Sequence, residues 1–387
     1  MLNPNAKQIC ADKMGRSFFS FGQRAVKLGL ISLGAIALIG SVDSAASGAI
    51  AAQLQPGAPT VESFLSTNRD RLQSAGFFAE QGLQSFGRGD RAGAAEHWQS
   101  ARLLYKAGGD LSGEGRMLEN LSVIHRLDEQ AEEAIALSEE AIALYEQAGI
   151  EESQPSAYLN LGSAYRMAGQ VERAIAAYTY GLDLYQRVDD IQGERIMLSL
   201  LAQIQKDLSN YPQAIAYQNQ ALALSRQIGI APAEAEALSE LGYAHVMNEQ
   251  PAQAVAVLQS AAEIYRQLRD RTQEVAVLNN LGKAAALAGD YALALDSYEA
   301  ALTIFQALNY PDQSAYVLVN MAQVQVEIGE LEGAIASYQQ AVVLSESLRQ
   351  NSAELLSPRL EAAYRSLAVL LQQQARIAEA QKILSLI

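Results

Sequence analysis

The sequence predicts an all-α protein, an α-solenoid of about eight helix-turn-helix repeats. Three observations predict it. Alanine recurs every 40 residues at Ala94, Ala134, Ala174, Ala214, Ala254, Ala294 and Ala334. Seven positions later runs a second ladder, Ala101, Ala141, Gly181, Ala221, Ala261, Ala301 and Ala341. A third holds Leu121, Leu161, Leu201, Leu241, Leu281 and Met321, flanked by the small residues Ser122, Gly162, Ala202, Gly242, Gly282 and Ala322, with Gly82 in the same register.

The elements follow in chain order. Residues 1–27 carry Lys7, Lys13, Arg16, Arg24 and Lys27, and an apolar run, Leu28 to Ile39, comes next. Small residues with an Ala-x-Ala site (Ala49, Ala51) close the segment. A basic region, a short apolar core and small residues are the marks of a secretory signal, so residues 1–52 are expected to export the chain to a periplasmic, lumenal or secreted location. The alternative is an uncleaved segment, residues 28–52, that anchors the chain to a membrane, although its apolar core is short of the roughly 20 residues a spanning helix needs. Residues 53–71 read as a linker, with Pro56, Gly57 and Pro59. The repeats occupy 72–387.

Each unit shows two segments of helical period. In the third, Tyr158, Leu161, Gly162 and Tyr165 share one face of helix A. Gly169-Gln170 marks the turn, and Ala174, Tyr178, Gly181 and Tyr185 share one face of helix B. Small residues where two helices cross permit close approach, and large ones beside them fill the space between units. No unit covers its own apolar face, so the units must stack. The eighth is displaced by six residues, with Leu367, Ala368 and Ala380 standing 46 after Met321, Ala322 and Ala334; the insertion falls in Gln350–Pro358.

Tyr158, Leu161-Gly162, Tyr165, Ala174, Tyr178 and Gly181 resemble the tetratricopeptide repeat motif, with glycine in place of its last alanine. That resemblance covers about residues 72–387 and implies a right-handed superhelix of antiparallel hairpins. The 40-residue period exceeds the family's common 34, and the extra residues are expected to lengthen helix B and the link between units. The long period is similar to that of kinesin light chain-type repeats and of exported bacterial repeat arrays.

Composition excludes several chemistries. The net charge is −15, and beyond residue 52 about 23 basic residues face 41 acidic ones, a poor surface for nucleic acid. The single cysteine, Cys10, lies in the leader. His97, His125 and His245 are the only histidines, none has a zinc-type partner three or four residues away, and they are expected to pack structurally. Glu132-Glu133 and Glu139-Glu140 read as solvated helix faces. Asn120-Leu121-Ser122 matches a glycosylation acceptor but lies within a helix. Neither a phosphate loop nor a nucleophile motif occurs, so no catalytic residue, metal or cofactor is expected.

A polar ladder remains. Asn120, Asn160, Asn280 and Asn320 each precede the leucine or methionine of their unit, while Leu200 and Glu240 interrupt the series. Asparagine is a mediocre helix former, so its return asks for a reason. The family resemblance implies a concave groove lined by helices A, where such amides hold the backbone of a bound peptide. The alternative is that each amide bonds a neighbouring helix and orients the stack. Arg126, Arg166 and Lys206 form another 40-residue series, and Lys283 and Arg116 are expected near it; together they would favour a peptide bearing carboxylates. The functional expectation is a non-catalytic scaffold for a protein or peptide partner. A structural protein that self-associates through its ends is the second reading, prompted by the apolar Leu384-Ser385-Leu386-Ile387.

Overall fold

A computed structural model describes residues 67–351 and 358–386. The signal or anchor expected at 1–52 and most of the linker lie outside the described residues. Sixteen α-helices and one short 3-10 turn make up the described chain. They are α1 (Asn68–Gly87), α2 (Arg91–Gly108), α3 (Leu111–Leu127), α4 (Ala131–Ala148), α5 (Gln154–Met167), α6 (Val171–Arg187) and α7 (Ile191–Asp207), with the 3-10 turn at Glu151–Ser153. Then follow α8 (Tyr211–Ile228), α9 (Ala231–Met247), α10 (Pro251–Gln267), α11 (Arg271–Ala288), α12 (Tyr291–Ala307), α13 (Pro311–Glu327), α14 (Leu331–Asn351), α15 (Pro358–Gln373) and α16 (Ile377–Leu384). Helix α1 begins ahead of the expected boundary at 72, because the Thr67 hydroxyl accepts from the Asp70 backbone N–H and starts the helix there.

The turns keep a shorter period than the repeat. From residue 89 to residue 329 a left-handed residue recurs every 20 residues. Gly89, Gly109, Gly149, Gly169, Gly229, Gly289 and Gly329 fill some of these positions; Glu129, Asp189, Ser209, Glu249, Arg269 and Asn309 fill the others. Behind several of them an aspartate caps the next helix: Asp90, Asp110, Asp190, Asp270 and Asp290 each accept a backbone N–H three residues on. Helices A and B are therefore of nearly equal length, as in α3 with 17 residues and α4 with 18. The extra residues are shared between both helices and do not fall on helix B and its link alone. The register breaks where α14 runs on for 21 residues, and among the described residues the next left-handed one is Ala375.

Two compact units divide the described chain, residues 67–208 with α1–α7 and residues 209–386 with α8–α16. Inside the first, consecutive helices pack in antiparallel pairs, and the A helices α3, α5 and α7 also touch one another in turn. The second repeats the pattern, with α9, α11, α13 and α15 in sequence. The small-residue ladder lies under the large side chains of helix B. A Cβ on Gly162 would stand 2.5 Å from the Tyr178 ring, and one on Gly282 would stand 2.6 Å from the Tyr298 ring. Gly82 bears the Trp98 indole and Gly242 the Leu258 side chain in the same way. The alanine rungs Ala94, Ala101, Ala254, Ala261, Ala294 and Ala301 are fully buried at these crossings.

Candidate peptide-binding surface

In the first unit the asparagine ladder points two ways. Asn120, on α3, is half-buried. Asn160, on α5, is buried, and its Nδ2 donates to Glu119 Oε2 on α3 at 3.2 Å. Glu119 is buried too, and its Oε1 accepts from the Tyr145 hydroxyl of α4 at 2.6 Å. Burial raises the Glu119 carboxyl to about 7, against the hydrogen bonds from Tyr145, Ser156 and Asn160 and the nearby Arg116 charge. Three helices thus meet on one carboxylate.

In the second unit Asn280, on α11, is half-buried. Asn320, on α13, is buried, and its Nδ2 donates to Asn279 Oδ1 on α11 at 3.2 Å. Both amide bonds run from one helix A to the residue 41 positions earlier on the preceding helix A. At these two rungs, therefore, the amides bridge adjacent A helices.

The basic residues are spread differently. Arg126 lies at the carbonyl end of α3, and its Nε is buried without a hydrogen-bond partner. Burial lowers its pKa first of all, Tyr178 opposes that shift and the Arg166 charge adds to it. Arg166, on α5, is exposed and pairs with Asp207 of α7 at 3.8 Å. Lys206, on α7, is half-buried, and Arg116 is exposed on α3. Lys283, in the second unit, is buried in α11 at 5% exposure. The structure brings Arg126 and Arg166 together with the Tyr178 hydroxyl, which shares a 2.9 Å hydrogen bond with Ser163.

Carboxylates do more in this fold than solvate it. Glu132 and Glu133 are exposed as expected, but the Glu139 carboxylate accepts from the Tyr165 hydroxyl of the next unit at 2.6 Å, and Glu140 holds Arg102. Glu114 is buried between Arg102 and Lys106, each 3.7 Å away. Glu274 is buried against Arg266 at 3.1 Å and Arg271 at 2.7 Å. Glu234 pairs with Arg226 at 2.7 Å, and Glu194 accepts from Gln186 at 2.8 Å. These four glutamates stand at multiples of 40 residues, and each finds a polar partner eight residues earlier, on the preceding helix B. That spacing was a signal in the sequence.

The histidines take structural places. His125 Nδ1 is 2.6 Å from Gln130 Oε1 and His245 Nδ1 is 2.8 Å from Gln250 Oε1, so each ring ties helix A to the start of helix B. His97 stacks on Phe78, with ring centroids 6.1 Å apart. Among the described residues no group of three His, Cys, Asp or Glu side chains could hold a metal, and no helix is long and apolar enough to cross a membrane.

The family model for the tetratricopeptide repeat matches residues 113–187, 153–227, 193–267 and 273–347. The chain belongs to the tetratricopeptide repeat family. No curated protein matches it. Among solved structures, it is similar to a signal-transduction ATPase with a tetratricopeptide repeat sensor from Pyrococcus horikoshii, at 15% identity and a TM-score of 0.64. That match covers 73% of this chain and 44% of the other, so this tetratricopeptide chain spans less than half of that relative's length. It is also similar to a repeat protein of Cytophaga hutchinsonii (17% identity, TM-score 0.52, 68% of this chain and 93% of the other). A third similar structure is aspartyl phosphate phosphatase F of Bacillus subtilis, at 12% identity and a TM-score of 0.51, over 76% and 75% of the two chains. At these identities the likeness shows the fold.

Proposed function

We propose that this tetratricopeptide chain is a non-catalytic scaffold that holds a protein or peptide segment along its A helices. The observation that carries this reading is the set of half-buried polar side chains, Asn120 and Asn280 among them, recurring on A helices that lie side by side in each unit. An amide that is partly accessible can both donate to and accept from an extended backbone. A preformed row of shallow contacts gains affinity because little ordering is needed on binding. Asn160 and Asn320 support the same surface indirectly, by fixing the spacing of adjacent A helices.

The test is affinity capture from the native envelope fraction with wild-type protein and with the Asn120→Ala, Asn280→Ala double variant. The expected result is a partner retained by the first and lost by the second, with unchanged helical content. Equal capture by both would sink the groove reading. Export through residues 1–52 is part of the proposal and rests on their sequence alone. N-terminal sequencing of the protein recovered from fractionated cells tests it.

A second reading, self-association, is favoured by Val369, Ile377 and Leu384, apolar side chains exposed on α15 and α16. Light scattering over a range of concentrations separates the two: a constant monomer mass argues for groove binding, a rising mass for assembly.

A further inference from the structure

One hairpin departs from the repeat at several places at once. Helix α4 passes to α5 through the 3-10 turn at Glu151–Ser153, which lies against α4, α5 and α6. The charge pattern of the link inverts there. The glutamate of positions 114, 194, 234 and 274 becomes Gln154, and its partner eight residues earlier, Lys106, Gln186, Arg226 or Arg266 in those units, becomes Glu146. Glu146 is exposed and has no ion pair among the described residues. Arg187, at the end of α6, is already held by Asp183 and, at 2.9 Å, by Glu151.

Two tyrosines break the pattern beside that carboxylate. Tyr158 on α5 replaces the leucine that is buried as Leu118, Leu198, Leu238, Leu278 and Leu318, and it is only half-buried. Tyr180 on α6 is 45% exposed, at a position held by Ser, Glu, Gln or Ala in the other units. The two rings lie 4.6 Å apart, tilted by 55°. Gly181 makes room for them, since a Cβ there would stand 3.1 Å from the Tyr158 Cβ and closer still to Met197 Cε. Burial first, then Tyr180 and the Glu146 charge, raise the Tyr158 hydroxyl pKa. Residues two apart on a helix diverge by about 200°, so Tyr158 leaves α5 on the side away from Asn160 and its bridge to α3. Packing alone does not ask for an accessible aromatic pair where other units bury a leucine. Aromatic faces attract cations, and a guanidinium can stack on a ring while its N–H groups meet a carboxylate.

We propose that Tyr158 and Tyr180, with Glu146, hold an arginine side chain of a protein partner at the α5–α6 groove. This extends the scaffold reading to a second surface, which Asn120 and Asn280 do not share.

The test is a titration of the full chain, ring-labelled at tyrosine, followed by the Tyr158 and Tyr180 resonances. The probes are acetyl-Gly-Arg-Gly amide, acetyl-Gly-Lys-Gly amide and the neutral acetyl-Gly-Gln-Gly amide, at constant ionic strength. The arginine probe should shift both rings saturably, the lysine probe less, and the neutral probe not at all. Tyr180→Ala, at an exposed position, and Glu146→Gln should each weaken the arginine response about fivefold, as read from Tyr158. No shift with the arginine probe, or an equal shift with the neutral one, overturns the proposal. An equal response to lysine overturns the choice of arginine, and a response untouched by Glu146→Gln removes the carboxylate from the site. The Asn120→Ala, Asn280→Ala variant should answer the arginine probe as wild type does. Failure of the amide row therefore leaves this site standing, and failure of this site leaves the row.

Discussion

Replacing Glu119 by glutamine removes one ionisation from the junction of α3, α4 and α5 and leaves its shape intact. In the folded chain the carboxyl is held at about 7, against an ordinary 4.5. Its folded pKa is raised, so the folded state binds the proton more tightly than the unfolded state does. Stability is therefore greatest at low pH and is lost as pH rises from about 4.5 to about 7. At roughly 1.4 kcal/mol per unit, the cost of holding Glu119 ionised grows from about 1 kcal/mol at pH 5 to about 3 kcal/mol at pH 8. Glu119→Gln should lack that slope. Its carbonyl still accepts from Tyr145, and its amide faces the Asn160 amide, a mismatch of about 1 kcal/mol that does not vary with pH. A repeat array need not unfold in one step, so the reading must be local. Hydrogen exchange of peptides from α3, α4 and α5, run at pH 5 to 8 and corrected for intrinsic rates, supplies it. The wild-type opening free energy should fall across that range by about 2 kcal/mol more than the variant's. Parallel profiles would refute the reasoning, and would mean that water or relaxation solvates the carboxylate.

Other perturbations follow from the packing. Gly162→Ala would drive a methyl into the Tyr178 ring, 2.5 Å away, and should cost about 1–3 kcal/mol in a thermal melt. Arg266→Ala with Arg271→Ala strips both cations from buried Glu274 and should destabilise the second unit by about 3 kcal/mol, whereas Glu274→Ala releases two exposed arginines to water and should cost less. Gly289→Ala, at a φ of +82°, should cost about 1 kcal/mol or more, while Glu129→Gly, at +61°, should be neutral or stabilising in urea melts.

The sequence made the stack legible because packing repeats its demands in every unit. Ala94 to Ala334 and Gly82 to Ala322 mark close crossings, and only small residues fit under Trp98, Tyr178 or Tyr298. Helix lengths were less legible. Six of the turn positions between 89 and 329 carry Glu, Asp, Ser, Arg or Asn in place of glycine, which hid the 20-residue spacing. The polar ladder could not be resolved at all, since an asparagine facing a ligand and one facing the neighbouring helix are the same symbol. Asn160 shows its role only when Glu119 is seen buried beside it. Glu119, for its part, looks like any surface glutamate until Tyr145 arrives from 26 residues away.

The 20-residue beat of left-handed turns also bears on how such a chain can change its length. Excising 230–269 would join Gly229 to Asp270, a Gly-Asp step like those at 89–90, 109–110 and 289–290, and would remove one A helix and one B helix together. Every cut of that size rejoins a helix end to a helix start with the turn chemistry already in place. A cut half as long would seal as neatly but hand each following helix to the opposite layer, with its small residues facing outward. Length in this array is thus inherited in pairs of helices.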